Sequence, residues 1–106
     1  MIQQLTPAQL KERLASGTAP VVLDVREPWE VAVCALPGAR HVPMREIPAH
    51  AEELLRDLDI VVLCHHGVRS QYVASFLERL GFERLYNLAG GIDAWARDVE
   101  PSMAKY

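Results

Sequence analysis

The sequence has no run of about 18 apolar residues, the length that a membrane-spanning helix needs, so we expect no membrane association. Its first residues, Met1-Ile2-Gln3-Gln4-Leu5, lack the basic and apolar segments of a secretory signal, which favours a cytoplasmic protein. Two cysteines are too few for a disulfide framework, so each thiol needs its own explanation. The formal net charge is −3 and there is no basic tract, which argues against nucleic acid as a partner.

The composition is that of an ordinary globular protein: of 106 residues, 50% are hydrophobic and 24% are charged. This length predicts one domain over residues 1–106, with a core that needs no disulfide or structural metal. The sequence contains no repeat, linker or low-complexity segment. Short apolar runs alternate with helical patterns, which indicates an α/β fold with a parallel sheet covered on both faces.

Local signals place the elements along the chain. Thr6-Pro7-Ala8-Gln9 combines an N-cap, a proline at the first helical position and a capping-box glutamine, and it predicts a helix ending near Ser16. The predicted strands are 20–25, 41–43, 60–63 and 84–88. A short helical turn is predicted at 27–30, and longer helices are predicted at 47–58, 69–80 and 92–99. The apolar faces predicted for the last three helices are Ile47, Ala51, Leu54, Leu55 and Leu58; Tyr72, Val73, Phe76, Leu77 and Leu80; and Ile92, Trp95, Ala96 and Val99. We expect the tail after Pro101 to be loosely held.

The chemistry is concentrated where the most apolar predicted strand runs into Cys64. A short loop with two histidines and Gly67 follows, and a helix begins near Arg69. In open α/β sheets, sites form beyond the carboxyl ends of the strands, and a helix N-terminus presents free N–H groups. A thiolate is stabilised in such a place, and the thiolate is the reactive form of cysteine.

The simplest alternative is that Cys64 only fills space, because free cysteine is among the most buried residue types. Its neighbours argue against plain packing. Histidine is a poor core residue, Gly67 permits a turn that other residues resist, and Arg69 adds a fixed positive charge. We therefore predict a nucleophilic Cys64.

The adjacent histidines, His65 and His66, could lend positive charge or hydrogen bonds near the thiolate, or they could be exposed loop residues. Adjacent residues rarely ligate one tetrahedral metal ion, and the sequence offers no second ligand cluster. We predict no metal and no cofactor.

Four segments of the chain resemble the signatures of the rhodanese family, in the family's order and over nearly the whole chain. They are Leu23-Asp24-Val25-Arg26-Glu27 with Glu30, Leu36-Pro37-Gly38-Ala39 with His41-Val42-Pro43, Cys64-His65-His66-Gly67-Val68-Arg69-Ser70, and Gly90-Gly91-Ile92-Asp93-Ala94-Trp95. The resemblance implies a five-stranded, mostly parallel central sheet with helices on both faces. It also implies that Cys64 is catalytic and that the five residues after it form the substrate-binding loop, namely His65, His66, Gly67, Val68 and Arg69.

The implied activity is a sulfurtransferase with a Cys64 persulfide. The donor would be thiosulfate or a related small anion, and the acceptor would be cyanide, a thiol or a protein cysteine. A covalent intermediate divides the transfer into two easier steps. Phosphatases that share this fold have five residues between Cys and Arg, whereas this chain has four, which suits one sulfur atom better than a tetrahedral anion.

Supporting residues follow from the same resemblance. Asp24 and Arg26 are expected to brace the loop, with Glu30 as an ion-pair partner of Arg26. Arg69 would bind the anionic donor or orient the loop, against the alternative of a solvated helix residue. Gly90-Gly91 is expected to allow a close backbone approach.

One segment departs from the family pattern. Cys34-Ala35-Leu36 stands where the family usually has Gly-His-Ile. Cys34 could resolve a persulfide on Cys64 as a disulfide, but we favour plain packing. No role for the missing histidine at Ala35 follows from the sequence.

Two other functions compete with an active sulfurtransferase. One is a non-enzymatic sulfur carrier or partner-docking module that keeps the fold, and the intact Cys64 and its loop argue against it. The other is a redox or arsenate-handling thiol enzyme, which the loop length disfavours. The sequence leaves open the physiological donor and acceptor, the pathway and the oligomeric state, including a weak homodimer.

Overall fold

The structure is a computed structural model that describes residues 1–54 and 56–106. The strands are β1 (Gln3–Leu5), β2 (Val21–Asp24), β3 (Arg40–His41), β4 (Ile60–Leu63) and β5 (Leu85–Leu88). The helices are α1 (Pro7–Ala15), α2 (Pro28–Val33), α3 (Ile47–His50), α4 (Val68–Arg79) and α5 (Gly91–Asp98), with 3₁₀ turns at Met44–Glu46 and Ala51–Glu53 around α3.

The five strands form one sheet in the order β1-β5-β4-β2-β3, and each neighbouring pair is parallel. All four residues of β4 are buried. Helices cover both faces of a parallel sheet, and this explains why the strand is apolar at every position. In the register, Val62 lies between Leu23 of β2 and Asn87 of β5. The carboxyl ends of β2, β4 and β5 therefore meet at one edge of the sheet.

Helices cover both faces of the sheet, as predicted. Successive residues of a strand point to opposite faces. Ile60 and Val62 pack into one apolar cluster with residues of α4, whereas Val61 and Leu63 pack into another with residues of α1 and α5. The predicted class, a five-stranded parallel sheet between helices, is confirmed.

The start of α1 follows directly from its sequence. The Thr6 hydroxyl accepts the N–H of Gln9, and the Gln9 side chain accepts the N–H of Thr6, which is a complete capping box. Pro7 occupies the first turn, where its missing N–H costs nothing. The helix ends at Ala15 with Ser16 as its C-cap, as predicted.

The prediction of one long helix between β3 and β4 is wrong. Only α3 is α-helical, and the chain continues as the turn Ala51–Glu53 until Leu54 adopts an extended conformation. Successive tight turns direct residues three and four apart to one side, so the apolar spacing is satisfied without a continuous helix. Leu58 is 40% exposed rather than buried, and Leu55 lies outside the described residues.

The predicted buried face of α4 is only partly correct. Tyr72 is 70% exposed and Leu80 is 42% exposed. The buried residues are Ser70, Val73, Ala74 and Leu77. These positions share the same three- and four-residue spacing, and the small side chains of Ser70 and Ala74 let the helix lie close to the sheet.

Two features at the ends of the chain differ from expectation. β1 was not predicted, because three residues that pair at a sheet edge carry little periodicity. The prediction of a loose tail after Pro101 is wrong, since Tyr106 makes side-chain hydrogen bonds to Arg26 and Glu30. In the described part of the chain, no helix has the length and apolar character needed to cross a bilayer.

Candidate active site

The candidate site lies at the carboxyl edge of the sheet, where β4 ends and Cys64 follows. Three loop residues separate Cys64 from α4. Gly67 is the N-cap of α4 and has φ +104°, in the left-handed region that favours glycine. This residue lets the chain reverse sharply, so the start of α4 lies against the preceding cysteine.

Two backbone N–H groups donate to the sulfur of Cys64. The amide nitrogen of Gly67 lies 3.1 Å from Sγ, and that of Ser70 lies 3.4 Å from it. The Ser70 hydroxyl is a third polar group, 3.3 Å from the sulfur. We call these three groups the sulfur cradle. The two N–H groups of the cradle would stabilise a developing negative charge on Sγ without a metal ion.

The sulfur lies deeper than a surface thiol, because Cys64 is only 1% exposed. Around the loop, Val68 is 65% exposed, so the buried sulfur sits beneath an exposed rim. A depression beside the loop is lined by Gly67, Val68, Gln71, Tyr72 and Asn87. This depth favours small reactants over bulky ones.

The start of α5 holds the loop from the other side. The N–H of Ile92 donates to the carbonyl of Cys64 at 2.9 Å, and the N–H of Asp93 donates to the carbonyl of His65 at 3.1 Å. Gly91 has φ +63°, and a Cβ added there would lie 2.6 Å from the Cys64 carbonyl oxygen and still closer to that of His65. The close approach predicted for Gly90-Gly91 is confirmed.

The predicted ion pair between Glu30 and Arg26 is wrong. The Glu30 carboxylate instead forms a two-bond pair with Arg69, at 2.6 and 2.7 Å. Arg26 contacts only the backbone carbonyl of Glu30. The sequence could not distinguish the two arginines, because α2 places its first-turn carboxylate within reach of both.

The pair with Arg69 lowers the pKa of Glu30 to about 2, against the opposing effect of burial. The N–H of Glu27 and the hydroxyl of Tyr106 also donate to this carboxylate and favour its charged form. A pKa that is lower in the folded than in the unfolded protein means stability that is present near neutral pH and is lost as pH falls towards 2.

We expect Glu30→Gln to remove this acid-sensitive stability. The free energy of unfolding should fall by up to about 3 kcal/mol near pH 7, and the difference from wild type should shrink as pH falls below the unfolded-state value. Urea unfolding between pH 2 and pH 7 measures this difference in the free energy of unfolding. Glu52→Gln, at an exposed residue, is the matched control. A wild-type advantage that does not vary with pH would contradict this assignment.

Asp24 and Arg26 form a fully buried pair at the end of β2. The Arg26 side chain donates to both carboxylate oxygens of Asp24, at 2.7 to 3.2 Å. Burial alone would lower the pKa of Arg26, but the hydrogen bonds to Asp24 and Tyr106 outweigh it and raise the pKa. Arg26 also donates to the carbonyl of Cys34, so it ties β2 to the end of α2. The Arg26 side chain thus joins β2 to α2 and to Tyr106, and the bracing of the Cys64 loop by this pair stays a prediction.

The two loop histidines stack on each other, with ring centroids 4.0 Å apart and 25° between the planes. Burial, with a smaller effect of His66, lowers the pKa of His65. His66 and Asp93 lie 3.8 Å apart, which brings three potential metal ligands together. Nearly parallel rings, however, direct their in-plane lone pairs side by side rather than towards one ion.

Tyr106 closes the other side of this stack. Its ring stacks on His65 at 4.0 Å, and its hydroxyl accepts from Arg26 and donates to Glu30. The hydrogen bonds of Tyr106 to Arg26 and to Glu30 join residues more than 70 positions apart, and no local sequence pattern indicates them.

Cys34, whose sulfur lies 3.9 Å from an Arg26 nitrogen, is a free thiol at the end of α2.

Sequence reasoning also missed the partner of Ser70. The Ser70 hydroxyl donates to Oδ1 of Asn87 at 2.5 Å, and Asn87 is 4% exposed. The signal was present, since Asn87 is a polar residue within a buried strand, and buried polar groups have hydrogen-bond partners.

Known proteins resemble this chain in sequence and in fold. The rhodanese-like domain family matches residues 6–98. A sulfurtransferase from Allochromatium vinosum is 36% identical over 104 residues, with 98% of this chain and 97% of that protein covered. The thiosulfate sulfurtransferase GlpE of Tolumonas auensis is 30% identical over 105 residues, with 97% and 98% covered. The crystal structure of a rhodanese-related protein from Thermoplasma volcanium superimposes with a TM-score of 0.85 at 32% identity, over 93% of this chain and 95% of that one.

A parallel sheet with a cysteine cradled at a helix N-terminus places this chain among α/β domains that hold a thiol at the carboxyl edge of the sheet. Within that class, this chain belongs to the rhodanese-like domain family. Its relatives support sulfur transfer of the rhodanese type.

Proposed function

We propose that Cys64 takes one sulfane sulfur from a small anionic donor such as thiosulfate and passes it to a nucleophilic acceptor. The Cys64 thiolate attacks the outer sulfur of the donor, the S–S bond of thiosulfate breaks, and sulfite leaves with the bonding electron pair. Cyanide, a thiol or a protein cysteine then attacks the outer sulfur of the persulfide. The thiolate is regenerated as the leaving group, so the cycle needs no cofactor.

The observation that carries this proposal is the sulfur cradle. N–H donors at 3.1 and 3.4 Å stabilise negative charge on Sγ before attack and again after discharge. The four residues between Cys64 and Arg69 form a short loop, which suits one added sulfur better than a tetrahedral anion. The positive charge of Arg69 beside the loop favours the approach of an anion, although Glu30 offsets part of it.

Initial-rate kinetics with thiosulfate and cyanide test the proposal. A persulfide cycle predicts thiocyanate production with parallel double-reciprocal lines, because the two substrates react with different enzyme forms. Thiocyanate production no faster than in a protein-free blank would contradict catalysis with this donor. Intersecting lines would contradict the persulfide cycle.

A second candidate is a sulfur carrier that is loaded and unloaded by partner proteins. The similarity to the putative sulfur carrier protein YrkF of Bacillus subtilis, which is 30% identical over 99 residues, favours it. A carrier would take up one sulfur per chain without multiple turnovers in the same assay. Sustained thiocyanate production would exclude this candidate.

Arg69 is expected to act on donor binding. We expect Arg69→Ala to raise KM for thiosulfate by about tenfold, or about 1.4 kcal/mol, because it leaves the Glu30 carboxylate uncompensated beside an anion site. Arg69→Lys keeps the charge without the two-bond pair and should lie in between. Arg79→Ala, at an exposed arginine at the other end of α4, is the matched control, and it should leave KM for thiosulfate unchanged. An unchanged KM for thiosulfate in Arg69→Ala would remove the proposed role.

A further inference from the structure

Ser70 has one hydroxyl proton and two neighbours that can accept it. Its Oγ lies 3.3 Å from Sγ of Cys64 and 2.5 Å from Oδ1 of Asn87. All three residues are buried, with exposures of 1%, 0% and 4% for Cys64, Ser70 and Asn87. Burial keeps bulk water from replacing whichever contact is lost.

The orientation of the Asn87 amide is fixed by its other contacts. Its Nδ2 donates to the backbone carbonyl of Gly67 at 3.2 Å and to Oε1 of Gln4 at 3.0 Å. A backbone carbonyl can only accept, so the amide nitrogen faces Gly67 and the oxygen faces Ser70. The Ser70 proton therefore points to Asn87, and a lone pair of Ser70 Oγ faces the sulfur.

This arrangement suits the protonated thiol. The S–H of Cys64 donates to Ser70, and Ser70 donates to Asn87, so each group has a partner. The thiolate has no proton to give and needs donors instead. Ser70 can donate to it only by turning away from Asn87, which leaves the buried Oδ1 without its partner.

We propose that Asn87 is a positioning residue that sets the balance between thiol and thiolate at Cys64 by competing with the sulfur for the single proton of Ser70. On ionisation the thiol proton passes to solvent, while the hydroxyl proton stays on Ser70 and rotates from Asn87 to the sulfur. The part that concerns the persulfide rests on the proposed function. In a persulfide, Sγ is a neutral bridging sulfur, so Ser70 can return to Asn87, which favours the loaded form over the empty thiolate.

The charged and titratable groups on the elements packed around the loop are Arg69 on α4, Glu30 on α2, Asp93 on α5, the Asp24–Arg26 pair at the end of β2, Tyr106 at the C-terminus, and His65 and His66 in the loop itself. All of them are retained in the variants compared below. Differences between those variants therefore report on Ser70 and Asn87.

The ultraviolet absorbance of the thiolate, titrated against pH, measures this balance without any sulfur donor. Cys34→Ser provides the parent protein, and Cys34→Ser with Cys64→Ser provides the blank. Asn87→Leu, of similar size, removes the acceptor and frees the Ser70 hydroxyl for the sulfur. We expect the midpoint to move down by about one to two pH units, the effect of one hydrogen bond to a charged group.

The same substitution in a Ser70→Ala background separates this role from a structural one. Without the hydroxyl there is no proton to compete for, so Asn87→Leu should leave the midpoint unchanged. If Asn87 acted only by holding the loop through Gly67, the shift would be equal in both backgrounds. An equal shift, an upward shift or no shift in the Ser70-containing protein would overturn the proposal.

A second test keeps Asn87 in place, so that it does not depend on the folding of Asn87→Leu. It is an NMR titration of the Cys34→Ser protein. The side-chain carbonyl ¹³C resonance of Asn87 should change with the same midpoint as the thiolate absorbance, because its hydrogen-bond donor leaves on ionisation. The change should be lost in Ser70→Ala. A resonance that does not follow the thiolate would overturn the competition, whether or not sulfur transfer is observed.

Discussion

We expect Cys64→Ser to abolish sulfur transfer and to leave the fold intact. Serine retains the size and the hydrogen-bonding capacity needed in the cradle, but its hydroxyl is a poor nucleophile without an adjacent base. The loss of a nucleophile normally costs several orders of magnitude, so we expect transfer to fall by about a thousandfold or more. Thiocyanate production measures the activity, and urea unfolding measures the stability.

Cys34→Ser is the matched control, because it makes the same atomic change at the other cysteine of the chain. It should retain full transfer activity. Residual turnover above about a tenth of wild type in Cys64→Ser would show that another group is the nucleophile. Equal losses in both variants would instead assign Cys34 a resolving role.

Gly91→Ala has the second largest expected effect, and it acts through the backbone of the loop. The new Cβ would overlap the carbonyl groups of Cys64 and His65, which are held by the first N–H groups of α5. Positive φ strain adds to this overlap. We expect the free energy of unfolding to fall by about 2 to 5 kcal/mol, with a loss of sulfur transfer in the fraction that remains folded.

Gly38→Ala separates the two causes. Gly38 also has positive φ, at +81°, but a Cβ there would meet no atom within 4 Å. It should cost only the conformational strain, about 1 to 2 kcal/mol, and leave transfer unchanged. Equal losses in the free energy of unfolding for the two variants, with full sulfur transfer in both, would contradict an effect of the overlap at Gly91.

Much of the fold could be predicted because its signals are local. The capping box at Thr6 and Gln9 defines α1, and the apolar run at β4 can only be a buried strand in a chain of this pattern. Parallel pairing of neighbouring strands then places Cys64 at the carboxyl edge of the sheet. The capping box and the strand signal depend on residues within a few positions of each other.

The errors arose where several structures satisfy one pattern. Apolar spacing after β3 fits a helix and also fits consecutive tight turns, and only tertiary contacts choose between them. On α4, the small residues Ser70 and Ala74 face the sheet in place of Tyr72, which spacing alone cannot decide. Pairing at the sheet edge, as in β1, is invisible until the partner strand is known.

The candidate site also has features that local sequence predicts and features that it does not. The position of Cys64 before a helix and the turn at Gly67 follow from sequence, because a strand, a glycine and a helix start are adjacent in the chain. The pairing of Glu30 with Arg69 joins positions 39 residues apart. Such long-range choices depend on how the elements pack, and sequence spacing carries no information about them.

Intact mass spectrometry after incubation with thiosulfate tests the central claim most directly. The claim is that the sulfur of Cys64, held by the amides of Gly67 and Ser70, accepts a single sulfane sulfur. Wild type and Cys34→Ser should each gain the mass of one sulfur atom, cyanide should remove it, and Cys64→Ser should gain none. A wild-type protein that gains no sulfur from thiosulfate, or a Cys64→Ser variant that still gains one, would contradict the account.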